Sequence, residues 1–73
     1  MALSAEDIEM IFTYQPPTPK QLEHYDAIRR AAKSFALVLV ANTPASADQT
    51  AAIRKLREVV ATANASIALQ GKF

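Results

Sequence analysis

Two apolar seams with the same stepping constrain this chain more than any other feature. Tyr25, Ile28, Ala32, Phe35 and Leu39 are spaced three, four, three and four residues apart, and Ile53, Leu56, Val60, Ala63 and Ile67 repeat that spacing. A three-four alternation puts side chains on one stripe of an α-helix, whereas a strand would return to the same face every second residue. The chain therefore reads as two long helices whose apolar stripes face each other. The short connection between them makes the pair antiparallel.

Helix boundaries are written in the polar residues and prolines. In "TPKQ", Thr18 precedes a proline at the first helical position and Gln21 at the third, the pattern of a capping box, so a long helix is predicted over about 19–41. Asn42 and Pro44 close it, because proline holds the residue before it in extended geometry. "SADQ" repeats the signal with Ser46 and Gln49, opening a second long helix over about 47–70 that Gly71 would cap. Ahead of both, Ser4 with Glu6 and Asp7 predicts a short helix over about 4–11, leaving residues 12–18 as a loop. The expected architecture is a single all-α domain spanning 1–73, a short N-terminal helix followed by an antiparallel two-helix hairpin.

A chain of 73 residues has little core with which to offset its chain entropy, and small domains usually add a staple. With no cysteine there is neither a disulfide nor a thiolate metal site, and one histidine does not make a zinc site. No metal and no cofactor are expected. Oligomerisation is the staple that remains. Leu37, Val38 and Val40 on the first long helix, with Val59 and Leu69 on the second, point away from the seams, and Ala61, Ala63, Ala65 and Ala68 are small enough for further helices to approach closely. These residues predict a homo-oligomer built by packing several hairpins together.

The same composition narrows the function. A formal net charge of +1 argues against non-specific binding of DNA, RNA or membrane, which calls for a large basic excess, while leaving room for a local basic pocket. The start "MALSAEDIEM" is acidic where a signal peptide is apolar, and "FALVLVA" is too short to span a bilayer, so the expected location is the cytoplasm. No glycine-rich phosphate loop, nucleophile elbow or metal cluster is present, and the single histidine has no cysteine or serine at a recognisable spacing. The chain is not expected to be an enzyme.

Several pieces in order resemble a known family. "FTYQPP", then "QLEHYDAIRRAA", the proline-containing turn "NTPASAD" and finally "LREVVATANASIA" are similar to the helical-hairpin domain of phage anti-CBASS and anti-Thoeris proteins, the cyclic-nucleotide sponges. The likeness runs from Phe12 to about Leu69 and rests on the combination of Phe-x-Tyr-x-x-Pro, Tyr-x-x-Ile-Arg and Ala-Asn-Ala-x-Ile-Ala. It implies a non-enzymatic hexamer in the cytoplasm of the phage's bacterial host. Such a protein sequesters cyclic dinucleotides, cyclic trinucleotides or cyclic ADP-ribose isomers and so starves an immune effector of its activator.

A cyclic dinucleotide presents two phosphates and two aromatic bases, so a receptor needs stacking faces and cations within one pocket. Tyr14 supplies a stacking face, with Phe12 beside it or anchoring the loop. Pro16 and Pro17, with Pro19, limit the shapes of that loop and so the entropy lost on binding. Arg29 and Lys33, one turn apart, project on one face toward phosphate, while Arg30 lies about 100° round the helix. Asn64 and Ser66 are polar residues in an alanine-rich helix, suited to a pocket between hairpins. Arg57, repeated round a symmetry axis, would form a basic ring of the kind the resemblance implies for trinucleotides. Each residue also has a plainer role: Phe12 and Tyr14 as a lid over the end of the hairpin, Arg29 and Lys33 as partners of Glu23 or Asp26, Asn64 and Ser66 as surface polar residues, and Arg57 as part of a solvated charged face. His24 is read as structural or solvent-facing. The competing functions are a small helical structural or interaction module of a phage or prophage and a nucleic-acid-binding hairpin.

Overall fold

Every helix begins where a hydroxyl accepts a hydrogen bond from a free backbone N–H. The computed structural model describes residues 2–73 and contains three helices, α1 (Ala5–Phe12), α2 (Pro19–Asn42) and α3 (Ala47–Ala68). Asp7 N donates to Ser4 Oγ at 3.0 Å, and the Asp7 carboxylate accepts from Ser4 N at 2.9 Å. Thr18 and Gln21 make the same reciprocal pair, at 3.1 and 3.0 Å. Four free N–H groups at a helix start are an obligation, and these boxes meet two of them each time.

The third start departs from the expected box. Gln49 N does donate to Ser46 Oγ at 3.1 Å, but the Gln49 side chain turns away and donates to Thr43 O at 3.1 Å and Thr43 Oγ1 at 3.0 Å. It thereby ties the interhelical turn to the first turn of α3. The turn offered the Gln49 amide N–H group two acceptors, whereas Ser46 N offered its amide oxygen a single donor.

The end of α3 also differs from expectation. The helix stops at Ala68, not at residue 70, because the left-handed conformation begins at Gln70, with φ of 56°, one residue before Gly71 at 72°. Gly71 N donates to Ser66 O at 2.9 Å and Gln70 N to Ile67 O at 3.2 Å, the crossed pair of bonds of a Schellman ending with Gln70 in the position glycine usually holds. Leu69, expected to face outward, lies where the chain leaves the helix and is partly buried.

The two long helices pack against one another, and among the described residues α1 makes no close backbone approach to either. Every member of the α3 seam is partly buried, as are Tyr25, Ile28, Ala32 and Leu39 of the α2 seam. Phe35 is the exception, with half its surface exposed at the flank of the seam. Two side chains bridge the helices near the loop end. Gln21 Nε2 donates to Ile67 O at 3.2 Å, and Tyr25 Oη donates to Asn64 O at 3.5 Å. Gln21 thus caps α2 with one end of its amide and holds α3 with the other.

This hairpin has a seam and no interior. Among the described residues none is buried, and the accessible surface is 5932 Å². A compact monomer of 7.9 kDa exposes roughly 4,400 Å². The radius of gyration of 15.5 Å likewise exceeds the roughly 11 Å of a compact chain of this length. Leu37, Val38, Val40 and Val59 are exposed, as are Leu22 and Phe73.

Gln70 offers a direct test of the helix ending. A non-glycine residue in the left-handed region costs about 1–2 kcal/mol, and the extra freedom of glycine in the unfolded chain offsets about 0.5–1 kcal/mol of what its replacement regains. Gln70→Gly is expected to raise stability by about 0.5–1 kcal/mol. Thermal unfolding followed by circular dichroism measures it, and an unchanged or lower midpoint would show that Gln70 is not strained.

Candidate functional site

The register of α3 against α2 decides which polar residues meet. Arg29 and Lys33 stand four residues apart on α2, hence on one face, and α3 brings Arg57 and Asn64 up beside them. The four side chains rim an open groove of about 540 Å³ whose floor is apolar, formed by Ala32 and Ala36 of α2 with Leu56, Val60 and Ala61 of α3. Small residues on the floor make the depression, since a larger side chain at Ala36 or Ala61 would fill it. Ala36 was not singled out from sequence, although its place four residues after Ala32 was a signal that it shared the face.

The electrostatics of the rim suit an anion. Arg29 has a loose partner in Asp26, at 3.9 Å, and Arg30 holds the same carboxylate at 2.8 Å. The expected alternative role of Arg29 as a partner of Asp26 is therefore present, but the Arg29 side chain is exposed, that of Asp26 nearly half so, and such pairs are worth only about 0.3–0.5 kcal/mol. Lys33 and Arg57 form no ion pair among the described residues. Three cations thus border one groove, and the one carboxylate paired with any of them, that of Asp26, lies beside the groove and not in its lining.

Asn64 brings a different feature. Its Oδ1 is shielded from solvent and accepts no hydrogen bond from the described residues, while its backbone carbonyl takes the Tyr25 hydroxyl. A shielded acceptor without a donor costs about 1–3 kcal/mol.

The other sequence-derived residues lie elsewhere. Phe12 and Tyr14 are exposed by 80% and 79%, outside the groove. Phe12, expected in the loop, is the last residue of α1, and the loop that carries Tyr14 is fastened to that helix, since Thr13 Oγ1 donates to Glu9 O at 2.6 Å and Gln15 Nε2 to Met10 O at 3.5 Å. Pro16 and Pro17 are exposed in the same loop. Arg29 is ten residues beyond Pro19, about 15 Å along the helix axis. One chain therefore does not bring Tyr14 and Arg29 to one pocket. Ser66 faces a separate shallow depression with Lys55, Glu58 and Thr62. A further hollow beside α1 is bordered by Glu6 and Glu9 and contains no cation, which makes it unsuitable for phosphate.

With this geometry in place, the comparison with protein families is decisive for kinship. The family model described as Acb2/Tad1, hairpin domain, matches residues 4–68. The chain belongs to this family. Its members are the phage anti-CBASS and anti-Thoeris cyclic-nucleotide sponges, binding proteins and not enzymes. No curated protein and no solved structure matches the chain. No helix among the described residues is long and apolar enough to cross a membrane, and those residues contain no cluster able to hold a metal ion.

Asn64 gives the groove its own test. If Oδ1 is unpartnered in the ligand-free protein, Asn64→Leu is expected to raise stability by about 1 kcal/mol or more, because an apolar side chain removes the stranded acceptor. A lowered unfolding midpoint would instead show that Oδ1 holds a donor in the assembled protein.

Proposed function

We propose that this protein is a phage-encoded anti-defence sponge that binds cyclic oligonucleotide signals, cyclic dinucleotides foremost, and withholds them from a CBASS or Thoeris effector in the host cytoplasm. The observation that carries this reading is the rim of Arg29, Lys33 and Arg57 round an apolar groove, within a hairpin of the sponge family. Phosphates meet the guanidinium and ammonium groups, and the apolar floor accepts the edge of a sugar or base. Charge-assisted bonds to Arg29 have the planar geometry that suits a phosphodiester.

A groove of about 540 Å³ falls in the size range of small-molecule sites, yet it lies open along one side. A single hairpin covers a cyclic dinucleotide on one face only. A second copy supplies the missing face, and Tyr14, on a loop stiffened by Pro16 and Pro17, with Phe12 at the end of α1, is the group that it brings. This arrangement also covers the exposed Leu37, Val38 and Val59, whose burial contributes about 25 cal/mol per Å². The assembly is a closed homo-oligomer, with a hexamer as the reading drawn from the family. Where subunits meet round an axis, Arg57 forms a basic ring for a cyclic trinucleotide, while Asn64 and Ser66, which face separate depressions, are polar groups available to a pocket between hairpins. The exposed apolar surface is also what a purely structural assembly module would carry, and ligand binding separates the two readings.

Tyr14→Ala is expected to weaken cyclic dinucleotide binding by about tenfold to hundredfold, the worth of one stacked base, with helicity unchanged. Arg29→Ala is expected to weaken it comparably, and by more than Arg30→Ala, because Arg30 does not border the groove. Calorimetric titration against a panel of cyclic dinucleotides, trinucleotides and cyclic ADP-ribose isomers measures both. Full affinity in Tyr14→Ala, or no binding by the parent protein, would leave the structural-module reading in place.

A further inference from the structure

Asp26 serves two guanidinium groups at once, and it serves them unequally. Its Oδ2 lies 2.8 Å from Arg30 Nη2, while its Oδ1 lies 3.9 Å from Arg29 Nη1. The first contact has the length of a charge-assisted hydrogen bond, and the second is beyond hydrogen-bond reach. Spacing does not dictate this choice, because residues three and four positions along a helix are both neighbours. Arg29 borders the groove and Arg30 does not. The only other acid within a turn, Glu23, faces Lys20 at 3.8 Å, and α3 presents Arg57 on this side.

A carboxylate beside the groove has two harmful options toward an incoming phosphate. It can pair with Arg29 and so compete for the cation, or it can remain uncompensated and repel the anion. Bonding to Arg30 removes both. We propose that Arg30 is a positioning residue for the phosphate site: it draws Asp26 away from Arg29 and neutralises it, leaving the Arg29 guanidinium available to a cyclic dinucleotide. This rests on the reading that the groove binds phosphate. Without Arg30, Asp26 closes onto Arg29 and anion affinity falls. Without Asp26, Arg30 has nothing to hold back and its removal changes little. That dependence separates positioning from a general positive potential, which Arg30 would supply whether Asp26 were present or not.

The test is a double-mutant cycle on the full chain with two probes. Inorganic pyrophosphate is titrated into the parent, Arg30→Ala, Asp26→Asn and the double variant while the Arg29 side-chain resonance is followed by NMR, and the same four proteins are titrated calorimetrically with a cyclic dinucleotide. Alanine and asparagine are tolerated at these exposed helical sites, and circular dichroism checks that helicity is kept. Arg30→Ala is expected to weaken pyrophosphate binding by about twofold, while Asp26→Asn, which removes a carboxylate that Arg30 already neutralises, should change it by less than about 1.5-fold. In the Asp26→Asn background, Arg30→Ala should change affinity by less than about 1.5-fold. An equal effect of Arg30→Ala in both backgrounds, no loss in Arg30→Ala, or no pyrophosphate binding by any of the four overturns the proposal. If the pyrophosphate cycle behaves as expected and the parent binds no cyclic dinucleotide, the positioning role of Arg30 stands and the nucleotide reading fails.

Discussion

Two helices packed along one line leave every side chain within reach of solvent, and the rest of this structure depends on that constraint. α2 and α3 are the only helices that pack together among the described residues, along the seam from Tyr25 to Leu39 against Ile53 to Ile67, and none of the described residues is fully buried. Partial burial yields only part of the roughly 25 cal/mol per Å² that hydrophobic contact supplies. Local devices therefore carry an unusual share of the order: two reciprocal capping boxes, the Gln49 tie across the turn, and the Gln21 and Tyr25 bonds to α3 carbonyls. The same openness leaves Leu37, Val38 and Val59 uncovered and the cationic groove without a lid. In the proposed function a second copy of the chain covers both.

Charge is arranged locally in a protein that is close to neutral overall. Formal charge is only +1, yet Arg29, Lys33 and Arg57 converge on one groove while α1 carries Glu6, Asp7 and Glu9 and no base. Such segregation gives a small anion a strong local field without the general basic surface that would collect nucleic acid. In the proposed function, specificity falls to the stacking faces and to the neutralisation of stray carboxylates near the rim.

The sequence was most legible where structure is decided by neighbours in the chain. Thr18 and Gln21 lie within one turn of each other, so their box could be read directly, as could the shared face of Arg29 and Lys33. The Gln49 side chain went astray because its competing acceptors belong to Thr43, in a turn whose shape no short motif specifies. The early end of α3 at Ala68 was hidden because glycine is the usual left-handed residue, and here Gln70 takes that conformation first. Arg57 and Asn64 were visible as candidates, but their meeting with Arg29 required the register of α3 on α2. The half-exposed Phe35 shows the limit of the seam itself: a residue with the correct period sits at the edge when only one neighbour helix is present to cover it.

The claim that ties fold to function is that a cyclic dinucleotide is held between copies of the hairpin and not by one alone. Native mass spectrometry of the protein titrated with cyclic dinucleotides tests it most directly, because it counts chains and ligands in the same particle. The account predicts ligand on oligomers only, with up to one cyclic dinucleotide for each chain. Ligand retained by the 7.9 kDa monomer, or oligomers that retain none, would contradict it.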